Sequence, residues 1–165
     1  MTSRTAIANS ERVTKNMNVI DYLIAPSAND WPKLLSLWVP PLPARLTPWL
    51  MNKMGDTFVV TQEGRIIGLE LGSGLCREVA NSREHFASLL DQRQNAEAWL
   101  RISLVDACRR SGMTLTPTQC YGFRVPPTLG GRYEVSNLTP MELIDHYSYQ
   151  AYICKQVDVY WIPPR

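Results

Sequence analysis

The chain has 165 residues, 45% of them apolar and 19% charged, with a mean hydropathy of −0.18. That is the length of one ordinary domain, able to bury about 70% of its unfolded surface, and the composition excludes a largely disordered chain, a coiled coil and a collagen-like repeat. Lys and Arg number 17 against 15 Asp and Glu, a net charge of +2. A pI of 8.4 is not the footprint of a dedicated nucleic-acid binder, which usually lies above about 9 with clustered basic residues.

Charge is uneven along the chain. Residues 56–100 carry a net −3, whereas 1–55 carry +3 and 101–165 carry +2. An acidic middle is either solvated surface or a negative face for a basic partner. No apolar run approaches the 18 or so residues that span a bilayer, so no membrane partner is expected. The N-terminus, MTSRTAIANSERVTKN, lacks the apolar region of a secretory signal and reads as a flexible leader over 1–16. Cys76, Cys108, Cys120 and Cys154 are separated by 32, 12 and 34 residues. That spacing suits no metal site, and reduced thiols in a cytoplasmic protein are the expectation.

Taken in chain order, Val19–Ala25 is apolar, and Ser27–Asp30 offers N-caps for a short helix from Trp31–Pro32 that must stop at Val39, before Pro40, Pro41 and Pro43. Thr47 followed by Pro48 predicts a second short helix, ended by Gly55. These pieces make a helical, Pro-rich lead-in over 17–54. Next come Thr57–Thr61, Arg65–Leu71 and Leu75–Val79, separated by Gln62–Gly64 and Gly72–Gly74, which is the pattern of an antiparallel meander. Asn81 or Ser82 caps a helix through Leu90, and a longer helix is predicted from Asn95 to Arg110. Cys120–Val125 reads as a strand and Tyr133–Leu138 as extended. Thr139 and Glu142 have the spacing of a capping box for a last helix. Val157–Ile162 is a final strand or a docked tail. The fold class is therefore α+β: a meander plus a C-terminal strand, with helices packed on one side.

No constellation of catalytic residues emerges. Cys120, ahead of Tyr121–Gly122, is the best placed thiol, but nothing marks a base for it. Asp145 and His146 are adjacent and point about 100° apart on a helix, so one does not orient the other. No GxGxxG, phosphate loop, HExxH or EF-hand pattern is present, and neither a cofactor nor a metal is expected. Tyr147, Tyr149, Tyr152, Tyr160 and Trp161 crowd the last twenty positions. One helix cannot bury all of the first three on one face, so some are exposed or covered by something else.

The segments GDTFVVTQEGRIIGLELGSGLCREVANSREHF and CYGFRVPPTLGGRYEVSNLTPMELIDHYSYQAYICKQV resemble a bacterial family, the C-terminal domain of immunity proteins that protect against type VI secretion DNase effectors. The resemblance runs from Gly55 to Val157. Its specific part is Tyr121–Gly122–Phe123, Pro127, Leu129–Gly130–Gly131, Tyr133 and Asn137–Leu138; Gly55–Asp56 and the Ser82–Phe86 helix start also belong to it. It divides the chain at Gly55, with an immunity-like domain over 55–165. It implies a cytoplasmic protein that needs no catalytic residue, binds a cognate toxin domain, nuclease chemistry being the family's trait, and occludes its active site without binding nucleic acid itself. Because the net charge is close to zero, contact must be local: the acidic residues Asp56, Glu63, Glu70, Glu78 and Glu84, or the aromatic residues Tyr147, Tyr149, Tyr152 and Trp161. The motif glycines have a structural role, Gly130 and Gly131 permitting a turn with positive φ. Two other classes remain open: a small enzyme using Cys120 or His146, and a regulatory binding module.

Overall fold

A computed structural model describes residues 17–38, 42 and 45–157. Residues 1–16, where a leader is expected, Trp161 and most of the predicted C-terminal strand lie outside the described residues. The described chain opens with 3-10 turns at Val19–Tyr22 and Pro26–Ala28, followed by helix α1, Trp31–Ser36. As expected, Asp30 caps α1, its carboxylate accepting from the Lys33 N–H at 3.1 Å.

Four strands follow: β1 (Thr47–Met51), β2 (Thr57–Val60), β3 (Ile66–Glu70) and β4 (Leu75–Ala80). They form one antiparallel sheet in the order β1-β2-β3-β4, so the meander is present and gains a strand. The helix predicted from Thr47 is corrected to strand β1. Pro48 is tolerated there because β1 is an edge strand with an irregularity between Pro48 and Leu50. The sheet therefore begins on the N-terminal side of Gly55. Gly64 and Gly74 close the hairpins at φ 82° and 71°, a region only glycine enters without cost.

Ser82 caps helix α2 (Arg83–Leu90), its hydroxyl accepting from the His85 N–H at 3.0 Å. The single helix expected from Asn95 to Arg110 is two, α3 (Arg93–Leu100) and α4 (Ile102–Arg110), broken at Arg101 in the left-handed region, φ 53° and ψ 41°. Strand β5 (Gln119–Phe123) pairs antiparallel with β6 (Leu138–Glu142) in a second sheet. The helix start read at Thr139 is corrected as well. Thr139 and Pro140 pair with Gly122 and Tyr121, and helix α5 (Leu143–Gln156) begins only after Glu142, with no side-chain cap. Between β5 and β6, Pro127–Leu129 and Val135–Asn137 are 3-10 turns rather than extended chain.

The α+β class is the class of the structure, and its helices are divided between the two faces of the four-stranded sheet. On one face, Trp31, Leu34, Leu35 and Trp38 pack with Leu143 and Tyr147 of α5 against Met51, Val59, Ile67 and Leu69. On the other, Phe86 of α2 is wedged between Trp99, stacked at 4.7 Å, and the edge of Phe58, at 5.0 Å. Burying rings of this size is worth about 2–3 kcal/mol each, so the helix pair α2–α3 is held to the sheet mainly by this aromatic cluster. A third cluster, with Leu100, Val105, Cys108, Tyr121, Phe123 and Leu138, joins α4 to the small sheet.

Candidate functional site

The polar centre of the molecule is built on Asn52 and Asp56. Asn52 is wholly buried and uses every polar group of its side chain. Its Oδ1 accepts the Met54 and Asp56 N–H groups at 2.9 and 3.0 Å, and its Nδ2 donates to Asp56 Oδ2 and the Trp99 carbonyl at 2.9 and 2.8 Å. Asp56 Oδ1 accepts the Leu71 N–H at 2.8 Å. Arg101 reaches across from the α3–α4 break, with Nε 4.0 Å from Asp56 Oδ2 and Nη2 donating to Glu70. Its guanidinium also lies over the Tyr133 ring, 4.2 Å from the centroid. Burial pushes the Asp56 carboxyl above the ordinary carboxylate range, while the Arg101 guanidinium and the Asn52 amide act against that rise. One arginine thus ties the start of β2, the end of β3, the α3–α4 junction and the loop before β6.

Next to this cluster a cleft of about 140 Å³ opens between β3–β4 and the end of α3. Phe58, Val79 and Trp99 form its apolar wall, Arg101 and Glu70 one end, and Leu75 and Arg77 of β4 its outer lip.

The residues singled out in the sequence are thereby sorted. Asp56 and Glu70 come together around Arg101. Glu63 and Glu78 share a different arginine, Arg65, at 3.7 and 3.1 Å, on exposed chain, where ion pairs contribute little. Glu84 is exposed in the first turn of α2. Tyr147 is buried, its hydroxyl donating to the Gly55 carbonyl at 2.8 Å and lying 2.8 Å from Thr57 Oγ1; α5 presents Tyr152, 61% exposed, and part of Tyr149 to solvent. Arg101 and Asn52, the organising pair, were not singled out. The one sequence signal for them was Gly55–Asp56, a buried turn in need of partners.

Cys120 and His146 are both fully buried. Burial holds the Cys120 thiol far above its ordinary range, which makes it a poor nucleophile. His146 lies 5.8 Å from the Phe123 ring, neither ring nitrogen has a hydrogen-bond partner among the described residues, and burial pushes its pKa down to about 4. A histidine whose folded pKa lies below its unfolded value contributes stability above pH 6.5 that is lost as pH falls toward 4. Unfolding in urea should therefore show the protein losing about 2 kcal/mol between pH 7.5 and 5 through this residue. His146→Leu should remove that loss, and equal pH slopes for the two proteins would contradict the assignment.

The loop carrying the motif residues is locked by Asn137. Its side chain bonds the Val125 N–H and carbonyl at 2.9 and 2.8 Å and the Arg132 carbonyl at 2.9 Å. Gly130 has φ 86°, as a turn requires. Gly131 serves differently: a Cβ there would stand 1.7 Å from the Val125 carbonyl oxygen.

The geometry defines a class first: a small α+β domain whose central polar pair, Asn52 and Asp56, is committed to internal bonds and whose open features include a cleft. Residues 80–152 match the family model described as "T6SS immunity protein Tdi1, C-terminal". This is the family that the Tyr-Gly-Phe to Asn-Leu block resembles. Among solved structures, the chain is similar to the "Crystal structure of Atu4351 from Agrobacterium tumefaciens", with 14% identity and a TM-score of 0.49, over 72% of this chain and 61% of that one. The chain thus spans about three fifths of the length of that structure. No curated protein matches. No helix among the described residues is long and apolar enough to cross a membrane.

Proposed function

We propose that the chain is an immunity protein that binds a cognate antibacterial toxin, a nuclease effector of a type VI secretion system, and neutralises it in the cytoplasm by occluding its active site. The match of residues 80–152 to an immunity-protein family carries this reading. The internal commitments of the polar side chains support it. Asn52 and Asp56 are spent on each other and on the backbone, and Cys120 and His146 are sealed in the core. An inhibitor acting by stoichiometric contact needs a stable surface and no reactive group.

The test is co-expression in a sensitive bacterium with the cognate toxin domain, sought as a nuclease-like reading frame next to this gene. Growth should be restored by this chain and equally by a Cys120→Ala/His146→Leu variant. Continued killing in the presence of well-expressed, folded protein would overturn the reading, and loss of protection only in the variant would favour an enzyme.

A further inference from the structure

On the outer side of the α3–α4 break lies a second concavity, shallower and wider than the cleft. Its volume is about 690 Å³, against about 140 Å³ for the cleft. Every residue lining it falls between 94 and 135, inside the segment 80–152 that matches the immunity family. The cleft, by contrast, takes most of its lining from β2, β3 and β4.

The break at Arg101 makes this groove. The left-handed residue turns α4 away from α3, and Glu97 fastens the new direction. Its carboxylate accepts the Ser103 N–H at 3.0 Å and the Ser103 hydroxyl at 2.9 Å, which caps the start of α4. Arg101 itself lies over the Tyr133 ring, and the turn Val135–Asn137 lies against α4. Leu104, Ala107, Tyr133 and Val135 form the apolar part of the lining. Leu104, Tyr133 and Val135 are packed on the core cluster that joins α4 to the small sheet. A floor fixed in this way loses little freedom when something settles on it.

The rim is acidic. Glu97 and Glu134 are the carboxylates of the lining, and neither has an ion-pair partner among the described residues. The cation of the lining, Arg101, is spent on Asp56 and Glu70. An apolar floor between two uncompensated carboxylates repels a phosphate backbone and suits an apolar side chain flanked by Lys or Arg. A nuclease carries Lys and Arg where it holds DNA, and that is the surface an occluding inhibitor has to cover.

Resting on the immunity reading above and on its nuclease part, we propose that the α3–α4 groove takes a basic segment of the toxin's DNA-holding surface. An apolar side chain of that segment lies on Leu104, Ala107 and Val135, and cations on either side of it meet Glu97 and Glu134. Two carboxylates thus stand where DNA phosphates would. This local acidity makes a chain of net charge +2 complementary to a basic enzyme.

The experiment uses the full chain and the catalytically inactivated nuclease-like domain sought in the reading frames next to this gene. Binding is measured by titration calorimetry, and release of a fluorescent DNA duplex from the domain is followed as the chain is added. Glu134→Lys, which reverses an exposed charge, and Ala107→Arg, which puts a cation on the floor, should each weaken binding at least tenfold with an unchanged melting temperature. Glu97→Gln, which keeps an oxygen for Ser103, should weaken it at least threefold. Glu84→Lys, the same charge change on α2, should stay within twofold of the parent. The duplex should be released completely at one equivalent. Parent-like affinity of Glu134→Lys and Ala107→Arg, or a ternary complex of chain, domain and DNA, overturns the groove while leaving the immunity reading intact. Failure of the unaltered chain to bind overturns both. Self-association of the chain that Ala107→Arg abolishes would give the groove to a second copy and likewise overturn the proposal.

Discussion

Arg101→Ala is expected to destabilise the fold by about 4 kcal/mol, the range for removing one partner of a buried ion pair, and to lower the melting temperature by roughly 10 °C. Asp56 is 7% exposed, and without the guanidinium its charge has only the Asn52 amide and the Leu71 N–H for compensation. Two companion variants separate the causes. Arg101→Gly removes the same ion pair but relieves the left-handed backbone at φ 53°, so it should be about 1 kcal/mol less damaging than alanine. Asp56→Asn in the Arg101→Ala background removes the stranded charge and should recover part of the loss, a coupling that a double-mutant cycle measures. The pH dependence has a fixed sign. A carboxyl whose folded pKa is raised favours the folded state at low pH, and that contribution is lost as pH rises toward the folded pKa. Losing Arg101 raises the Asp56 pKa further, so the destabilisation should shrink as pH is lowered from 7.5 toward 4. Thermal melts across that range check it; a deficit independent of pH would show that packing rather than charge is at stake.

Gly131→Ala should cost about 3 kcal/mol or more, whereas Gly130→Ala should cost about 1. The two adjacent glycines fail for different reasons. A Cβ on Gly130 meets nothing within 4 Å, and only its φ of 86° is strained. A Cβ on Gly131 would overlap the Val125 carbonyl at 1.7 Å. That atom is backbone, already fixed by the Asn137 amide at 2.8 Å, so it cannot give way without opening the 125–131 loop. Urea unfolding of the two variants checks the ordering, and equal effects would contradict it. The sequence reading assigned both glycines to positive φ. Close approach of two backbones is the correct account for the second.

The meander was legible because β-branched runs and glycine turns act locally, and Gly64 and Gly74 sit where the hairpins reverse. Ser82 was legible as a cap for the same reason. The errors share one cause, the override of local signals by distant partners. Thr47–Pro48 has the chemistry of a helix start, yet the extended β2 strand offers it an edge to pair with. Thr139 to Glu142 has capping-box spacing, yet Cys120–Phe123 claims that segment for β6. At Leu100–Arg101–Ile102 nothing in the local sequence breaks a helix. The break is favoured by what the arginine reaches there, Asp56 and Glu70, which lie 45 and 31 positions earlier in the chain. Of the candidate contact residues, the aromatic ones divided unevenly because α5 buries Tyr147 and exposes Tyr152, a choice that helical spacing alone leaves open.

Neutralisation by contact is tested most directly by titrating the purified chain into a fixed amount of the proposed cognate nuclease domain, sought in the reading frames next to this gene, and following DNA cleavage. Activity should fall in proportion to added protein and reach zero at one equivalent, and the Cys120→Ala/His146→Leu variant should give the same line. Cleavage that continues unchanged at several equivalents, or that is abolished by a small fraction of one equivalent acting repeatedly, would contradict a stoichiometric immunity protein.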